Sequence, residues 1–426
     1  MATRPLSKIF FLLTGMLALS ACGKQKTSSG NYSKPAEECV ADVVPQNFIV
    51  RYLDGRIERV QAPSEAEFLR GFFAENQNQI ETAEPDYFVR NHVGTFAQDG
   101  EVVTTSDNWG MARVHAEAMW AQGQYGSGVI VAVVDSGMDI SHAQFSARVA
   151  KNVGEVGLDA QGHDKATNGI DDDGNGLVDD AGGWDFVDRV PLTKDHQYHG
   201  THVAGVIAAE HADTVSGEKS YVQGLAPLAR ILPLSFLDSS GSGFMSNGVL
   251  AIEYAVQRGA KVINASWGGS VCSKSLRDIV SGLAARGVVF VSAAGNEGKN
   301  IDLYKSYPAS LDFAAQLTVG AVGAQDLLTT FSNYGPKTVH IFSPGSKIIS
   351  TIPGQRMAAL SGTSMAAPFV SGAVALLLGA EPSATVDQIR QALYRSAHRE
   401  GSYINASQGR LDMAAALAEL RRQMGK

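Results

Sequence analysis

A serine stands at the start of the most apolar segment of this 426-residue chain. Ser364 lies within residues 361–368, and an almost uninterrupted apolar run, 369–378, follows. A run that is apolar on every face predicts a helix buried on all sides. Thr363 can cap this helix, and Pro368 is tolerated only in its first turns. Ser364 is therefore either part of an ordinary helix start or a nucleophile, and a nucleophile needs a base, an acid and an oxyanion donor elsewhere in the chain.

Two histidines three residues apart could supply the base. His199 and His202 open an apolar helical segment, while Asp135 ends an apolar run that begins at Gly128 and predicts a central strand. One interpretation makes His199 a base oriented by Asp135, with His202 packed one turn further on. The alternative is a metal site formed by His199, His202 and Asp135, although no additional ligand motif accompanies them.

An amide follows another predicted strand. Asn296 lies in a glycine turn just after the apolar run 287–293. Asparagine in such a turn usually serves only to adopt a left-handed conformation. Its amide could instead donate to an oxygen that gains negative charge during a reaction. Asp135, the segment after residue 265 and Asn296 all fall at predicted strand ends, where open α/β sheets bind their ligands.

Alternating strands and helices predict the scaffold that brings these residues together. Apolar runs recur at 229–236, 261–266 and 287–293, and helical patterns such as 247–258 separate them. This alternation predicts an α/β fold of three layers, with a mostly parallel central sheet and helices on both faces. Late strands at 331–335 and 345–350 and helices at 386–396 and 411–420 should complete it.

Three segments together resemble the signature blocks of the subtilisin-like serine proteases. They are Asp135-Ser136-Gly137, the segment 199–205 and the segment 362–368, in the order Asp, His, Ser that is typical of this family. The resemblance extends from about residue 108 to the C-terminus and implies a subtilisin-like fold. It also implies that Ser364 attacks a peptide carbonyl, that His199 transfers the proton and that Asp135 orients His199. Asn296 and the Ser364 N–H would hold the oxyanion.

The same resemblance implies how protein or peptide substrates bind. Ser266, Trp267 and Gly268 would offer a strand edge to which an extended substrate adds. Ala293, Ala294 and Gly295 would line the other side of the specificity pocket. Trp267 on this edge favours large apolar side chains upstream of the scissile bond.

The first 22 residues are typical of an export signal. Arg4 and Lys8 form a basic start. The apolar core that follows, 9–21, is too short to span a bilayer. Residues 19–22 resemble the bacterial lipobox, which implies a lipid on Cys22; the alternative is an ordinary signal peptide with an incidental cysteine. Residues 23–45 are typical of a flexible tether. We expect an exported cell-envelope lipoprotein, in the outer membrane if the host has one, that contacts the membrane through its lipid anchor.

Residues 46–93 predict a small α+β module. An alternating segment from Asn47, a capping box at Ser64 and an extended segment through Glu84-Pro85-Asp86 are its elements. A segment this short buries little surface alone, so it should fold against the domain at 108–426. By resemblance it is an inhibitory prosegment, followed by a processing linker at 94–107 and cut off between about Val93 and Asp107. Because the lipid lies upstream of that cut, maturation would release the catalytic domain.

An acidic loop, 171–180, lies between the Asp135 and His199 segments. Its spacing is similar to that of an EF-hand loop, although position 12 is Gly182 and not a bidentate glutamate. We expect it to bind structural Ca²⁺ in a geometry of its own; the alternative is a solvated acidic loop. The expected ligands are Asp171, Asp173, Asn175, Leu177 and Asp179. Residues 141–145 lack the aspartate that many relatives have there, so the usual high-affinity site should be lost.

Net charge and cysteine content argue against two classes of protein: nucleic-acid-binding proteins and disulfide-rich proteins. A net charge of -8 without a basic block argues against nucleic-acid binding. With Cys22 assigned to the lipid, Cys39 and Cys272 leave room for a single bridge but not for a disulfide framework. We expect a monomeric endopeptidase. Two alternatives stay open: a metal-dependent hydrolase that uses His199, His202 and Asp135, and a catalytically inactive lipoprotein binding module.

Overall fold

The computed structural model describes residues 31–33, 43–91, 109–211, 222–399 and 403–426. Within these ranges, the strands in chain order are β1 Asn31–Tyr32, β2 Val43–Tyr52, β3 Ile57–Gln61, β4 Ile80–Asn91, β5 Ile130–Asp135, β6 Trp184–Asp185, β7 Val190–Pro191, β8 Arg230–Ser235, β9 Ser242–Phe244, β10 Val262–Ala265, β11 Trp267–Gly268, β12 Val289–Ala293, β13 Gln316–Val322, β14 Ile341–Pro344, β15 Ile348–Ile352 and β16 Arg356–Leu360.

The α-helices in the same ranges are α1 Glu65–Phe68, α2 Ala74–Asn76, α3 Trp109–Arg113, α4 Glu117–Trp120, α5 His199–Ala208, α6 Met245–Gln257, α7 Lys274–Gly282, α8 Thr363–Ala380, α9 Val386–Ser396 and α10 Ala416–Gln423. A π-helical turn, Leu69–Phe73, joins α1 to α2.

A central sheet carries the main domain in the order β14-β13-β12-β10-β5-β8-β6-β7. Every neighbouring pair is parallel except β6 and β7. From β5 the chain proceeds to β8 on one side and later to β10 on the other, so the strand order reverses next to β5. Such a reversal creates a crevice at the carboxyl ends of the strands. The α/β fold and the mostly parallel sheet predicted from the sequence are confirmed.

Alternate residues of β5 serve two separate cores. Val131 and Val133 join a cluster with α5, α8, α9 and α10 on one face of the sheet. Ala132 and Val134 join a second cluster with α6 and α7 on the other face. Successive side chains of a strand point to opposite faces, so a strand buried on both sides must be apolar throughout, as β5 is.

Helix α8 is the central helix of the first core. Its residues from Thr363 to Leu378 are buried. By length and composition it could cross a membrane, but 89% of its 18-residue window lies inside the protein. The apolar run in the sequence is therefore explained by burial within the domain.

The N-terminal module, residues 43–91, has its own sheet in which β4 lies between β1 and β2 and β3 forms the far edge. Its core is aromatic: the Phe48 ring stacks on the Phe68 ring with 4.0 Å between centroids. Ser64 caps α1 by accepting a hydrogen bond from the Glu67 N–H, as the sequence predicts. Ile80 is fully buried in the same core and starts β4.

Late in the chain, two predictions differ from the structure. The helix at 386–396 is confirmed, but the helix expected at 411–420 begins only at Ala416, because the Leu411 N–H bonds to Phe342 O beside the sheet. The strand expected at 331–335 is wrong. Asn333 instead uses its side chain to hold a neighbouring turn, accepting hydrogen bonds from the N–H groups of Glu297 and Lys299.

Several sequence-based expectations lie outside the described residues. They concern the signal segment with Cys22, most of the tether with Cys39, and the linker 94–107. These remain predictions.

The packing of α8 predicts a large cost for a cavity in this helix. Leu376 is fully buried, so Leu376→Ala should lower the free energy of unfolding by about 2–5 kcal/mol. Urea unfolding of the full chain with Ser364→Ala, which removes the serine hydroxyl, would measure this. Leu303, 73% exposed, is the control, and Leu303→Ala should change little. Equal effects would contradict the buried position of α8.

Candidate active site

A buried acid and histidine form the centre of the site. Asp135 ends β5, His199 begins α5, and His199 Nδ1 lies 2.8 Å from Asp135 Oδ1. Both side chains are fully buried. Because a carboxylate can only accept, Nδ1 carries the proton and Nε2 holds the lone pair. Nε2 makes no hydrogen bond among the described residues, so it is positioned as a base.

A close backbone approach brings these two residues together. A Cβ on Gly200 would lie 2.0 Å from Gly137 O, so only glycine lets α5 start against the turn after β5. Ser136 Oγ accepts a hydrogen bond from the Gly200 N–H and donates one to Asp195 Oδ1 at 2.7 Å. Asp195 also accepts from the Thr201 N–H at 2.8 Å. Asp195, which sequence analysis did not identify, thus anchors the start of α5.

His202 is a packed neighbour and not a partner of His199. Its Nε2 lies 3.0 Å from Ile348 O and 3.1 Å from Ala358 O, and therefore donates to carbonyl groups. Burial, together with the nearby His199, lowers the pKa of His202 to about 3, which keeps it neutral. Among the described residues, the ligand atoms of His199, His202 and Asp135 do not form a group that lies within 4.8 Å, so these residues do not meet as a metal site.

Ser364 is held by both of its oxygen atoms. In a regular helix the N–H of residue 368 would donate to Ser364 O, but Pro368 has no N–H. Ser266 Oγ donates to that carbonyl instead, at 3.0 Å. In return, Ser364 Oγ donates to Ser266 O, also at 3.0 Å. Pro368 therefore allows the segment after β10 to contact the first turn of α8.

Asn296 is oriented by the residue before Ser364. Its side-chain oxygen accepts hydrogen bonds from Thr363 N at 2.9 Å and from Thr363 Oγ1 at 3.0 Å. Thr363 Oγ1 also accepts from the Gly295 N–H at 3.1 Å. With the oxygen held in this way, the amide nitrogen is the atom that can donate to a substrate oxygen. The candidate nucleophile, base, acid and amide donor thus come from α8, α5, β5 and the turn after β12, a set that is suited to acyl transfer.

The N-terminal module inserts a strand into this site. β4 pairs antiparallel with β11, where Asn91 lies opposite Trp267 and Arg90 opposite Gly268. On its other side β4 pairs antiparallel with β9, where Val89 lies opposite Gly243. Of the edge expected at Ser266, Trp267 and Gly268, the last two residues thus form a paired strand, and Ser266 directly precedes it. The second edge, β9, carries no sequence signal that would have identified it.

The sides of the cleft differ from expectation in detail. Trp267 is fully buried, and its Nε1–H donates to Val134 O at 2.9 Å. Val89 lies in the same apolar cluster. Ala293, Ala294 and Gly295 are buried behind the Asn296 turn. A cavity of about 200 Å³ lies beyond this turn and is lined by Gly269, Ser270, Glu297, Lys299, Tyr304, Lys305, Ser306 and Asn333.

Two carboxylates of β4 cap helices of the main domain. Asp86 accepts hydrogen bonds from Ser246 N at 3.0 Å and from Ser246 Oγ at 2.6 Å, at the start of α6. Glu84 accepts from Ser273 Oγ, Lys274 N and Ser275 N at 2.7–2.8 Å, at the start of α7. Both carboxylates are buried, and burial raises the pKa of each while these hydrogen bonds oppose it. Helix N-termini attract negative charge, so the contacts hold the module in place.

The residues expected to bind calcium do not all meet. Carboxylate oxygens of Asp171 and Asp173 lie close together, and Glu155 joins them. Asp179 bonds instead to the Gly169 N–H, and the Asn175 side-chain oxygen accepts a hydrogen bond from the Leu177 N–H. In the segment 141–145, the Gln144 amide donates to Glu210 O at 2.9 Å and to Val222 O at 2.7 Å. An amide thus satisfies these two carbonyl groups.

Comparisons with known proteins agree with this geometry. A family model described as Subtilase family matches residues 126–411. The chain is 32% identical to a thermophilic serine proteinase of Bacillus sp. (strain AK1), over 88% of this chain and 80% of that protein. It is 34% identical to subtilisin NAT of Bacillus subtilis subsp. natto, over 72% and 70% of the two chains. An alkaline protease of Shouchella clausii is 36% identical over 72% of this chain and 69% of its own length.

One solved structure supports the fold. Fervidolysin from Fervidobacterium pennivorans, described as a keratinolytic enzyme related to subtilisin, superposes with a TM-score of 0.69 at 23% identity. The match covers 92% of this chain and 64% of that one, so the chain spans less than two thirds of the length of fervidolysin.

The capping contacts predict how firmly β4 is held. Glu84→Ala and Asp86→Ala should each accelerate deuterium exchange of the β4 amides by about 10- to 100-fold, since a hydrogen bond to a charged group contributes about 1.5–3 kcal/mol. The measurement would use the full chain carrying Ser364→Ala. Glu81, an exposed residue of the same strand, is the control. Exchange that is equally fast in Glu81→Ala would contradict a specific role for the caps.

Proposed function

Because the chain belongs to the subtilase family and is a serine endopeptidase, we propose that it is made as a zymogen whose N-terminal module blocks its own active site. One observation carries the proposal: β4 occupies the position of a substrate strand between β9 and β11. An added strand is held by main-chain hydrogen bonds, which makes it a competitive inhibitor of any extended peptide.

Peptide hydrolysis follows from the positions of four side chains. Ser364 Oγ attacks the substrate carbonyl while His199 Nε2 removes its proton, and the oxyanion accepts hydrogen bonds from the Asn296 amide and the Ser364 N–H. His199 then protonates the leaving amine, which leaves an acyl-enzyme that water hydrolyses. Asp135 keeps Nδ1 protonated and stabilises the imidazolium, since it lies 2.8 Å away in a buried site. In the present state Ser364 Oγ donates to Ser266 O, so a rotation about its Cα–Cβ bond precedes attack.

The register of β4 indicates which bond is cut first. Arg90 lies opposite Gly268 and Asn91 opposite Trp267, so the described part of β4 ends one residue short of the position opposite Ser266. Ser266 O is the atom that contacts Ser364 Oγ. We therefore propose that the first cut follows the residue after Asn91, at the His92–Val93 bond, immediately upstream of the interval from Val93 to Asp107 expected from the sequence. Val89, three residues before His92 in the sequence, belongs to the same apolar cluster as Trp267.

Two other functions receive less support. A metal-dependent hydrolase would need His199, His202 and Asp135 to converge on one ion, but the described residues bring no such group of ligand atoms together. A catalytically inactive binding module would not need the buried Asp135–His199 hydrogen bond or the double hold on the Asn296 oxygen. The broader expectation of an enzyme that acts on protein substrates is retained.

We also propose that the enzyme is anchored to the cell envelope and that a disulfide links its catalytic domain to the lipidated N-terminal segment. Cys272 is disulfide-bonded and directly precedes Ser273, which bonds to Glu84. The other cysteines of the chain are Cys22 and Cys39, both upstream of the N-terminal module. With Cys22 assigned to the lipid, Cys39 is the partner, and cutting His92–Val93 leaves both pieces joined. Release from the lipid would then require reduction as well as cleavage, in contrast to the release by cleavage alone that the sequence suggested.

Structural calcium completes the proposal. The segment 171–180 brings the carboxylates of Asp171 and Asp173 together and contains none of the proposed catalytic side chains, so an ion there would stabilise the fold and take no part in the chemistry.

The proposed roles predict unequal losses of self-cleavage. Asn296→Ala should slow the cut by about 10²- to 10³-fold, and Ser364→Ala by about 10⁶-fold, the sizes known for the equivalent groups of subtilisin. Quantified gel analysis of refolded chains measures this single turnover. Asn300, in the same loop, is the control, and Asn300→Ala should process normally. Losses of equal size in the Asn296 and Ser364 variants would refute the division of roles.

The proposed cleavage site and disulfide also predict the N-terminus of the larger fragment and the covalent link between the two fragments. The larger fragment should begin at Val93. The two fragments should separate on a gel only after treatment with dithiothreitol. This reagent reduces the bridge to two thiols and is itself oxidised to a disulfide. In membrane fractionation, the cut enzyme should stay with the lipid, whereas Cys272→Ser should release it. A different N-terminus would overturn the proposed register, and fragments that separate without reductant would overturn the bridge.

A further inference from the structure

We propose that Glu155, Asp171 and Asp173 form a Ca²⁺ site in which Glu155 takes the place assigned to Asp179 from the sequence. The inference deepens the calcium assignment in the proposed function by naming its ligands. Each of the three residues offers a carboxylate oxygen, and these oxygens lie within 4.8 Å of one another. Calcium takes six to eight oxygen ligands and binds carboxylates in flexible geometries.

Glu155 provides the observation that points to a cation. It is fully buried, and its Oε2 has no hydrogen-bond partner among the described residues. Its Oε1 is satisfied by the N–H groups of Asp172 at 2.7 Å and Asp173 at 3.0 Å, which fixes the carboxylate in place. A buried carboxylate oxygen without a partner is costly, and a bound cation would offset that cost.

The charges around this cluster are not balanced by the protein. Across the described parts of the chain, no Lys, Arg or His nitrogen forms an ion pair with Glu155, Asp171 or Asp173. Lys165 lies 3.7 Å from the neighbouring Asp172, and Arg258 reaches Asp180. Three negative charges thus share one small volume, which an ion of charge +2 would relieve.

A second cluster of acidic residues differs from this one, because basic side chains of the protein pair with it. Asp185, Asp188 and His196 also approach one another, but Lys194 Nζ lies 2.9 Å from Asp188 Oδ2 and His196 Nε2 lies 2.6 Å from Asp185 Oδ2. Side chains of the protein thus satisfy that group internally. We therefore assign no ion to it.

The hydrogen bonds of the loop explain why Asp179 is left out. Asp171 accepts from the N–H groups of Gly174, Asn175 and Gly176, which wraps the loop around its carboxylate. Asp179 has a left-handed backbone and accepts instead from the Gly169 N–H at 3.1 Å. Asn175 directs its NH₂ group towards Asp173 Oδ2 and Asp180 Oδ2, so its nitrogen and not its oxygen faces the carboxylates.

The site lies beside α6. Asp180 follows the loop, is fully buried and accepts a hydrogen bond from Asn152 Nδ2 at 2.6 Å, and it also bonds to Tyr254 of α6. Asn152 donates to Asp173 Oδ2 as well, at 2.8 Å. An ion at Asp173 would therefore stabilise the loop where it rests on the same helix whose N-terminus binds Asp86.

The test is calcium titration of the full chain carrying Ser364→Ala, followed by calorimetry and thermal unfolding. CaCl₂ at 100-fold over its dissociation constant should raise the Tm by about 5 °C. Glu155→Gln, which keeps the shape and removes the charge, should weaken binding at least 10-fold, and Asp179→Asn, the matched control, should bind calcium normally.

A second measurement separates ligation from a purely structural role. In EDTA, Glu155→Gln should be as stable as the parent or more stable, because it removes an unbalanced buried charge. Absence of calcium binding by the parent, loss of binding in Asp179→Asn but not in Glu155→Gln, or destabilisation of Glu155→Gln in EDTA would each overturn the site. None of these readouts uses peptidase activity, so the result is independent of the proposed zymogen function.

Discussion

The all-round burial of α8 is the constraint on which the rest of the active site depends. A helix packed on every side by the sheet and by α5, α9 and α10 cannot slide or rotate without opening cavities in a close-packed core. Ser364 in its first turn is therefore held by the core of the whole domain. Pro368 has no N–H, so the carbonyl of Ser364 accepts a hydrogen bond from Ser266 in place of one from its own helix. This hydrogen bond also fixes the position of the first turn of α8.

The other active-site groups are also fixed through backbone atoms and buried polar contacts. The Ser266 hydroxyl accepts from Asn264 Nδ2, and Asn264 Oδ1 accepts from Ser371, so a chain of hydrogen bonds runs from one turn of α8 to another. Asp195 performs a similar task for α5. Such networks in a site that excludes water hold donors and acceptors where charge develops, so that little reorganisation is needed during the reaction.

Sequence reasoning predicted the features that depend on local pattern. The strand ends at Asp135 and Asn296 and the buried helix after Ser364 follow from apolar runs, whose length and periodicity are set by neighbours in the chain. Features that depend on a distant partner were missed. Glu84 and Asp86 look like ordinary turn residues until α6 and α7 are placed against them, and Ser242-Gly243-Phe244 has no pattern that marks an edge strand. The short final helix and the turn at Asn333 were mispredicted for the same reason, because the sheet and the Glu297 turn take up their hydrogen bonds.

Strand β4 belongs to two sheets at once. Its first half pairs with β2 inside the N-terminal module, where Ile49 lies opposite Glu84, and its last residues pair with β9 and β11 in the cleft. Folding of the module and occupation of the cleft are therefore a single equilibrium. The module rests on a small core around Phe48 and Phe68, far less apolar area than the domain it covers. A core this small contributes less stability than the larger one, so a substitution at Phe48 or Phe68 should loosen the hold on β4 in the cleft without changing any residue that pairs with β4 there.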